Sequence, residues 1–209
     1  MLNIYVARRL NAEIESHLSG NGITFQEHYI KDDDYFRHFS NRDAIMDLHV
    51  IALYVPGSDP IMLVYSEDNM VKGLEYFWRE VPNIATQYNQ NVLAGWRILD
   101  DIAFLHNISI AKNIKVPLWA CNAVDRAYST LNMYDYWNLY KNGSFKNQID
   151  MTEAAYLWSD RKYNIPYNGD LGLLDMANEK TEEEINKLSN HIKQIFDIFE
   201  NAAKLHSIA

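Results

Sequence analysis

The chain has 209 residues and a formal net charge of −9, and 48% of its residues are hydrophobic, enough to bury a sizeable single-domain core. The charge argues against a dedicated high-affinity nucleic-acid coat protein, since phosphate binding is driven by Lys and Arg releasing counterions. A single cysteine, Cys121, excludes an internal disulfide and a cysteine-based zinc site.

The chain opens directly on strand-like LNIYVA (2–7), with no basic region ahead of it and no apolar run of membrane-span length. A soluble, cytoplasmic protein is the expectation. Residues 8–46 are polar and helix- or loop-like, and the run Lys31-Asp32-Asp33-Asp34 reads as a solvated loop. LHVIALYV (48–55) is a β-branched strand stopped by Pro56-Gly57-Ser58, and IMLVY (61–65) pairs with it as a hairpin. Ser66, with Glu67 and Asp68 behind it, predicts a helix running to about Val81, before Pro82.

NVLAGWRI (91–98) is the next strand, followed by a helix from about Asp101 to Asn113. The aromatic middle predicts short helices over 124–131 and 134–140, with a turn at Asn142-Gly143. Further helices follow over 152–163 and 171–177. The last helix is the clearest. Thr181 and Glu184 have capping-box spacing, and Ile185, Leu188, Ile192, Ile195, Phe196 and Phe199 recur on one face. Strand, hairpin, helix, strand and then mostly helices predict one α/β domain, a mixed sheet covered by helices.

The segment Gly95-Trp96, Asp101-Ile102, Phe104-Leu105 resembles the second motif of the 3′–5′ exonucleases related to the proofreading domain of family-B DNA polymerases. Those belong to the RNase H-like, four-carboxylate (DEDD) superfamily. The pattern there is roughly Gly-Trp-Asn, a few residues, then Phe-Asp-x-Pro-x-Leu. Gly95, Trp96, Asp101 and Leu105 match it; Arg97, Asp100 and Ala103 stand where the family has Asn, Phe and Pro. The order of flanking elements is also similar from about residue 45 to 200. The resemblance implies an RNase H-like mixed β-sheet and a cleft for the 3′ end of single-stranded DNA or RNA.

That chemistry uses two divalent metals to activate water and stabilise the leaving oxygen, and Mg²⁺ or Mn²⁺ needs oxygen ligands. The family supplies four carboxylates. On this chain the Asp-x-Glu of the first strand falls on Ala7 and Arg9, and the last Asp falls on His191. Asp101 alone remains. Asp197 is no rescue, because six residues past His191 is about 600° around a helix. A rearranged set from Asp47, Asp101, Asp150 and Asp170 is the alternative that keeps a metal.

Each of these residues also has a plainer role. Asp101 is an acid at a helix N-terminus, favoured by capping and the dipole. His191, between Leu188 and Ile195, is a core or margin histidine, or else an ion-pair partner of Asp101. Arg9 is a surface arginine, unless Arg8 or Arg9 neutralises Asp101 in place of the metal. Trp96 packs in the core or stacks on a base, and the same choice holds for Tyr128, Tyr134, Tyr136, Trp137 and Tyr140. Arg97 and Asp100 would line the cleft.

Three functions compete. One is an exonuclease-like protein that binds nucleic acid with lost or much reduced catalysis and no cofactor. Another is an active Mg²⁺- or Mn²⁺-dependent exonuclease with rearranged ligands. The third is an interaction module whose acidic surface meets a basic protein partner. Fold alone does not choose among them.

Overall fold

The computed structural model describes residues 1–10, 46–120, 128–135 and 150–205. Five strands form one sheet: β1 (Leu2–Leu10), β2 (Met46–Tyr54), β3 (Ile61–Val64), β4 (Val92–Gly95) and β5 (Ser129–Asn132). The helices are α1 (Met70–Gln87), α2 (Ile98–Ala111), α3 (Met151–Trp158), α4 (Asp170–Glu179) and α5 (Glu182–Leu205), with a 3₁₀ turn at Leu118–Ala120. Strand order is β3-β2-β1-β4-β5. The first three strands run antiparallel, while β4 lies parallel to both β1 and β5. This is the mixed, helix-flanked sheet expected of an RNase H-like α/β fold.

Both faces of the central strands are covered, so β1 and β2 read as near-continuous apolar runs rather than alternating ones. Leu2, Ile4 and Val6 pack with Ile51, Leu53, Phe77, Trp78 and Phe104 under α1 and α2. Ala7, Val50, Ala52 and Tyr54 pack with Leu188, Ile192, Ile195, Phe196 and Phe199 of α5 on the other face. The register skips His49, since Ala7 faces Val50 whereas Arg8 faces Leu48. That bulge swings Leu48 onto the α1–α2 face, out of the alternation that Val50 begins.

The structure corrects several expected boundaries. Ser66 does not cap α1. The N-cap position is Asn69, whose Oδ1 accepts the Ser66 N–H at 2.7 Å while its Nδ2 donates to the Val64 carbonyl at 3.0 Å. Nor does Pro82 end α1, which continues through it to Gln87. Proline in a helix interior costs about 3 kcal/mol, and burial of Trp78, Val81, Ile84 and Ala85 around it offsets that cost. Strand β4 stops at Gly95, and Ile98 already belongs to α2. Residues 129–131, expected as helix, belong to β5, paired with β4. Its Ser-Thr-Leu-Asn sequence carries little strand signal of its own, so the pairing is decided by the neighbour.

At α5 the expected cap is present, with the Glu184 N–H donating to Thr181 Oγ1 at 3.2 Å. The Glu184 carboxylate is taken by Lys187 at 2.6 Å. The acidic run at 32–34, Cys121, the Asn142-Gly143 turn, and most of the two short helices expected in the middle lie outside the described residues.

Candidate functional site

The site forms where β4 leaves the sheet. Pairing between β1 and β4 covers only Leu2 with Leu93 and Asn3 with Ala94. At Gly95 the two backbones approach so closely that a Cβ would lie 2.6 Å from the Ile4 carbonyl oxygen. Beyond it the chain turns into α2, and the remainder of β1 meets the amino end of that helix. In open α/β sheets the crevice outside the carboxyl ends of neighbouring parallel strands is where ligands bind.

Asp101 occupies the first turn of α2 and is only 9% exposed. The N-cap position itself belongs to Arg97, whose side chain makes no capping hydrogen bond. The helix dipole favours an acid there, but burial calls for a cationic partner as well. Arg8 supplies one. Its Nη2 lies 3.6 Å from Asp101 Oδ1, and Nη1 reaches the Asp100 carbonyl at 3.5 Å. The same guanidinium sits over the Phe104 ring at 4.9 Å, so its flat face is packed as well as its edge. Arg9, projecting from the opposite face of the strand, pairs with Asp175 of α4 at 3.8 Å. Of the two arginines it is therefore Arg8 that meets Asp101.

Three further elements converge from the α5 side. Burial raises the pKa of the Tyr5 hydroxyl above its usual value, and the carboxylates of Asp170 and Asp101 push it further the same way. Asp170 accepts the Met151 and Thr152 N–H groups at 2.9 and 2.8 Å, capping α3 from another helix. Asp150 holds the N-cap position of α3 without a capping bond of its own. Burial raises its pKa, with Asp170 and Glu153 adding to the effect. Tyr163 Oη and His191 Nδ1 lie 2.9 Å apart with their rings edge to face. Burial lowers the His191 pKa, which favours the neutral imidazole. The expectation that His191 sits at the margin of the core holds, with Tyr163 as its partner.

Most of the remaining expected residues make ring or core contacts. Trp96 stacks on Phe199 at 5.6 Å and meets Tyr134 edge-on at 5.6 Å. Ala7 is buried, and Asp100 is exposed. Arg97 lies over the Tyr134 ring at 4.4 Å. Tyr128 packs edge-on against Trp119. Tyr136, Trp137 and Tyr140 lie outside the described residues. Asp197 points away from the site and accepts the Tyr54 hydroxyl. Sequence reasoning missed Tyr5 and Tyr163 and left Asp170 unplaced. The signal for Asp170 was its position just after Gly169, at the start of a helix.

The donor set does not fit a pair of divalent metals. A methyl group stands at Ala7, a cation at Arg9 and an imidazole at His191. Asp101 faces a guanidinium, and both Asp170 oxygens hold N–H groups. Among the described residues, no three or more His, Cys, Asp or Glu side chains are grouped so as to hold a metal ion. Asp47, Asp101, Asp150 and Asp170 are all among those residues. Among the described residues, no helix is long and apolar enough to cross a membrane. No family model and no curated protein matches the chain.

Proposed function

We propose that the chain is an exonuclease-like protein that has lost metal-dependent hydrolysis and acts by holding the 3′ end of single-stranded nucleic acid, in a cytoplasmic setting. The observation that carries this reading is the Arg8–Asp101 pair at the one carboxylate matching the family motif. A guanidinium meets a phosphate oxygen with directed N–H groups, as a dication does with charge, but it activates no water. Arg8 and Arg97 place two guanidinium groups near the carboxyl ends of β1 and β4, with Arg9 on the other face of β1, in a chain whose net charge is −9. That is enough to grip a few nucleotides and too little to coat a strand.

The test is binding and digestion of a 5′-labelled single-stranded oligonucleotide, with Mn²⁺ or with EDTA. Equal binding in both, with a strand of unchanged length, is the expected result. Log affinity should fall against log salt with a slope of about −1.4 for two phosphate contacts. Manganese-dependent trimming that disappears in Asp101→Ala would overturn the reading. An absence of oligonucleotide binding would point instead to the interaction module with a basic protein partner.

A further inference from the structure

We propose that Arg97, laid flat on the Tyr134 ring, anchors one phosphate of the bound strand, and that Tyr134 is its positioning residue; this rests on the nucleic-acid reading given above. Arg97 is the second residue beyond the end of β4, and Tyr134 is the second beyond the end of β5. Those strands are parallel, with Gly95 opposite Asn132. Both residues therefore leave the sheet at the carboxyl-end crevice itself. The Tyr134 N–H donates to the Trp96 carbonyl at 2.9 Å, which fixes the two chain segments side by side. The Tyr134 ring also meets Trp96 edge-on at 5.6 Å, and Arg97 Cζ lies 4.4 Å from its centre.

Stacking covers one face of the guanidinium and leaves the N–H groups at its rim directed outward in the plane. That is the geometry that meets two oxygens of a phosphate. Two other arginines show what is particular to this one. Arg8 is packed on the Phe104 ring, but its rim already meets Asp101 and the Asp100 carbonyl. Arg79 lies over the Tyr76 ring at 5.3 Å, and its Nε is bonded to Glu80 at 2.9 Å. Arg97 has its ring and, among the described residues, no ion pair. Of the acids on these two turns, Asp101 faces Arg8 and Asp135 accepts the Asn132 Nδ2 at 2.6 Å. Asp100, exposed in the first turn of α2, is the one carboxylate there that a phosphate must tolerate.

The ring also lowers the cost of binding. A loose arginine gives up rotamer freedom when it grips a phosphate, whereas one already held against an aromatic face has given up much of it on folding. A phosphate carries no base identity, so an anchor of this kind holds a strand of any sequence.

The experiment is fluorescence anisotropy of a 5′-labelled short oligothymidylate on the full chain over a salt series, with the melting temperature of each variant. Arg97→Ala should weaken binding about tenfold. It should also make the slope of log affinity against log salt shallower by about 0.7, the value of one phosphate contact on a single strand. Arg97→Lys, which keeps the charge and loses the planar rim, should recover the slope and only part of the affinity. Tyr134→Leu should weaken binding about threefold in the wild-type background and not at all when combined with Arg97→Ala. Tyr134→Phe keeps the ring and should bind as wild type does, and Arg79→Ala should change nothing. Arg97→Ala with wild-type affinity and slope would overturn the anchor and leave the nucleic-acid reading to Arg8. A Tyr134→Leu loss of equal size with and without Arg97→Ala would overturn the positioning role. If wild type binds no strand, the anchor and the reading it rests on both fall.

Discussion

The two faces of the sheet use the same strands in different ways. On the α1–α2 face the core is almost wholly apolar. Its buried polar pair is closed on itself, with Trp78 Nε1 donating to Ser109 Oγ at 2.8 Å and Ser109 Oγ donating to the Leu105 carbonyl at 2.7 Å. On the α5 face, tyrosines, a histidine and acids run through the packing: Tyr5 beside Asp170, Tyr163 with His191, Tyr54 with Asp197. One face is built for stability. The other gives up part of its apolar area to hydroxyls and carboxylates, with Tyr5 and Asp170 toward the crevice and the Tyr54–Asp197 pair away from it. Arg8 projects from the stable face yet closes the electrostatics of the site, because Asp101 sits at the seam between the two.

The sharpest break of this contrast is Phe77→Ala, which empties a fully buried ring position on the α1–α2 face. It should cost about 3–5 kcal/mol in urea denaturation and leave oligonucleotide affinity unchanged in the folded fraction. A comparable loss of binding without loss of stability would show that the two faces are not separable.

A double-mutant cycle on Arg8→Ala and Asp101→Ala comes next. Arg8→Ala leaves a mostly buried carboxylate without its guanidinium and should cost about 2–3 kcal/mol. Asp101→Ala should cost less in the Arg8→Ala background than in wild type, with a coupling of about 1–2 kcal/mol. Zero coupling by chemical denaturation would remove the pair from the account of the site.

Tyr163→Phe tests the α5 face with the smallest steric change. It removes the hydroxyl from His191 and should cost about 1 kcal/mol, while oligonucleotide length after incubation stays unchanged.

The mildest effect is in pH dependence. His191 is held below its ordinary pKa by burial. His49 is lowered by burial too, with Lys180 and Arg9 pushing the same way and Asp47 opposing them. A histidine lowered in the folded state contributes stability that is complete above its unfolded pKa of about 6.5. That stability is lost as pH falls from there through the folded value, because the unfolded chain binds the proton first. Melting temperature should therefore drop between pH 7.5 and 5.5, and His191→Gln should show a smaller drop. An unchanged slope in His191→Gln would mean that burial of this imidazole carries no linkage.

Much of the architecture could be read from residue patterns, because β-branched runs and helical periodicity are local. The hairpin at Pro56-Gly57-Ser58, the apolar face of α5 and its Thr181 cap are examples. Positions where a neighbour outweighs local preference were not readable in this way. Pro82 stays inside a helix because buried side chains on either side hold it there, and β5 is a strand because β4 offers it a pairing edge. The site divides similarly. Asp101 was visible through its motif spacing, and the cation near it was narrowed to Arg8 or Arg9. Tyr5, Tyr163 and Asp170 carried no spacing that links them, since they come from three separate parts of the chain.

The order of residues alone set the fold class and placed an acid, Asp101, in the first turn of the helix that follows β4. Folding in three dimensions decided that Arg8 faces Asp101, that Asp170 is committed to the end of α3, and that Trp96 is packing rather than surface. The reason is range: a backbone preference acts over a few residues, whereas a charge or a ring is assigned its partner only when distant segments are brought within a few ångströms.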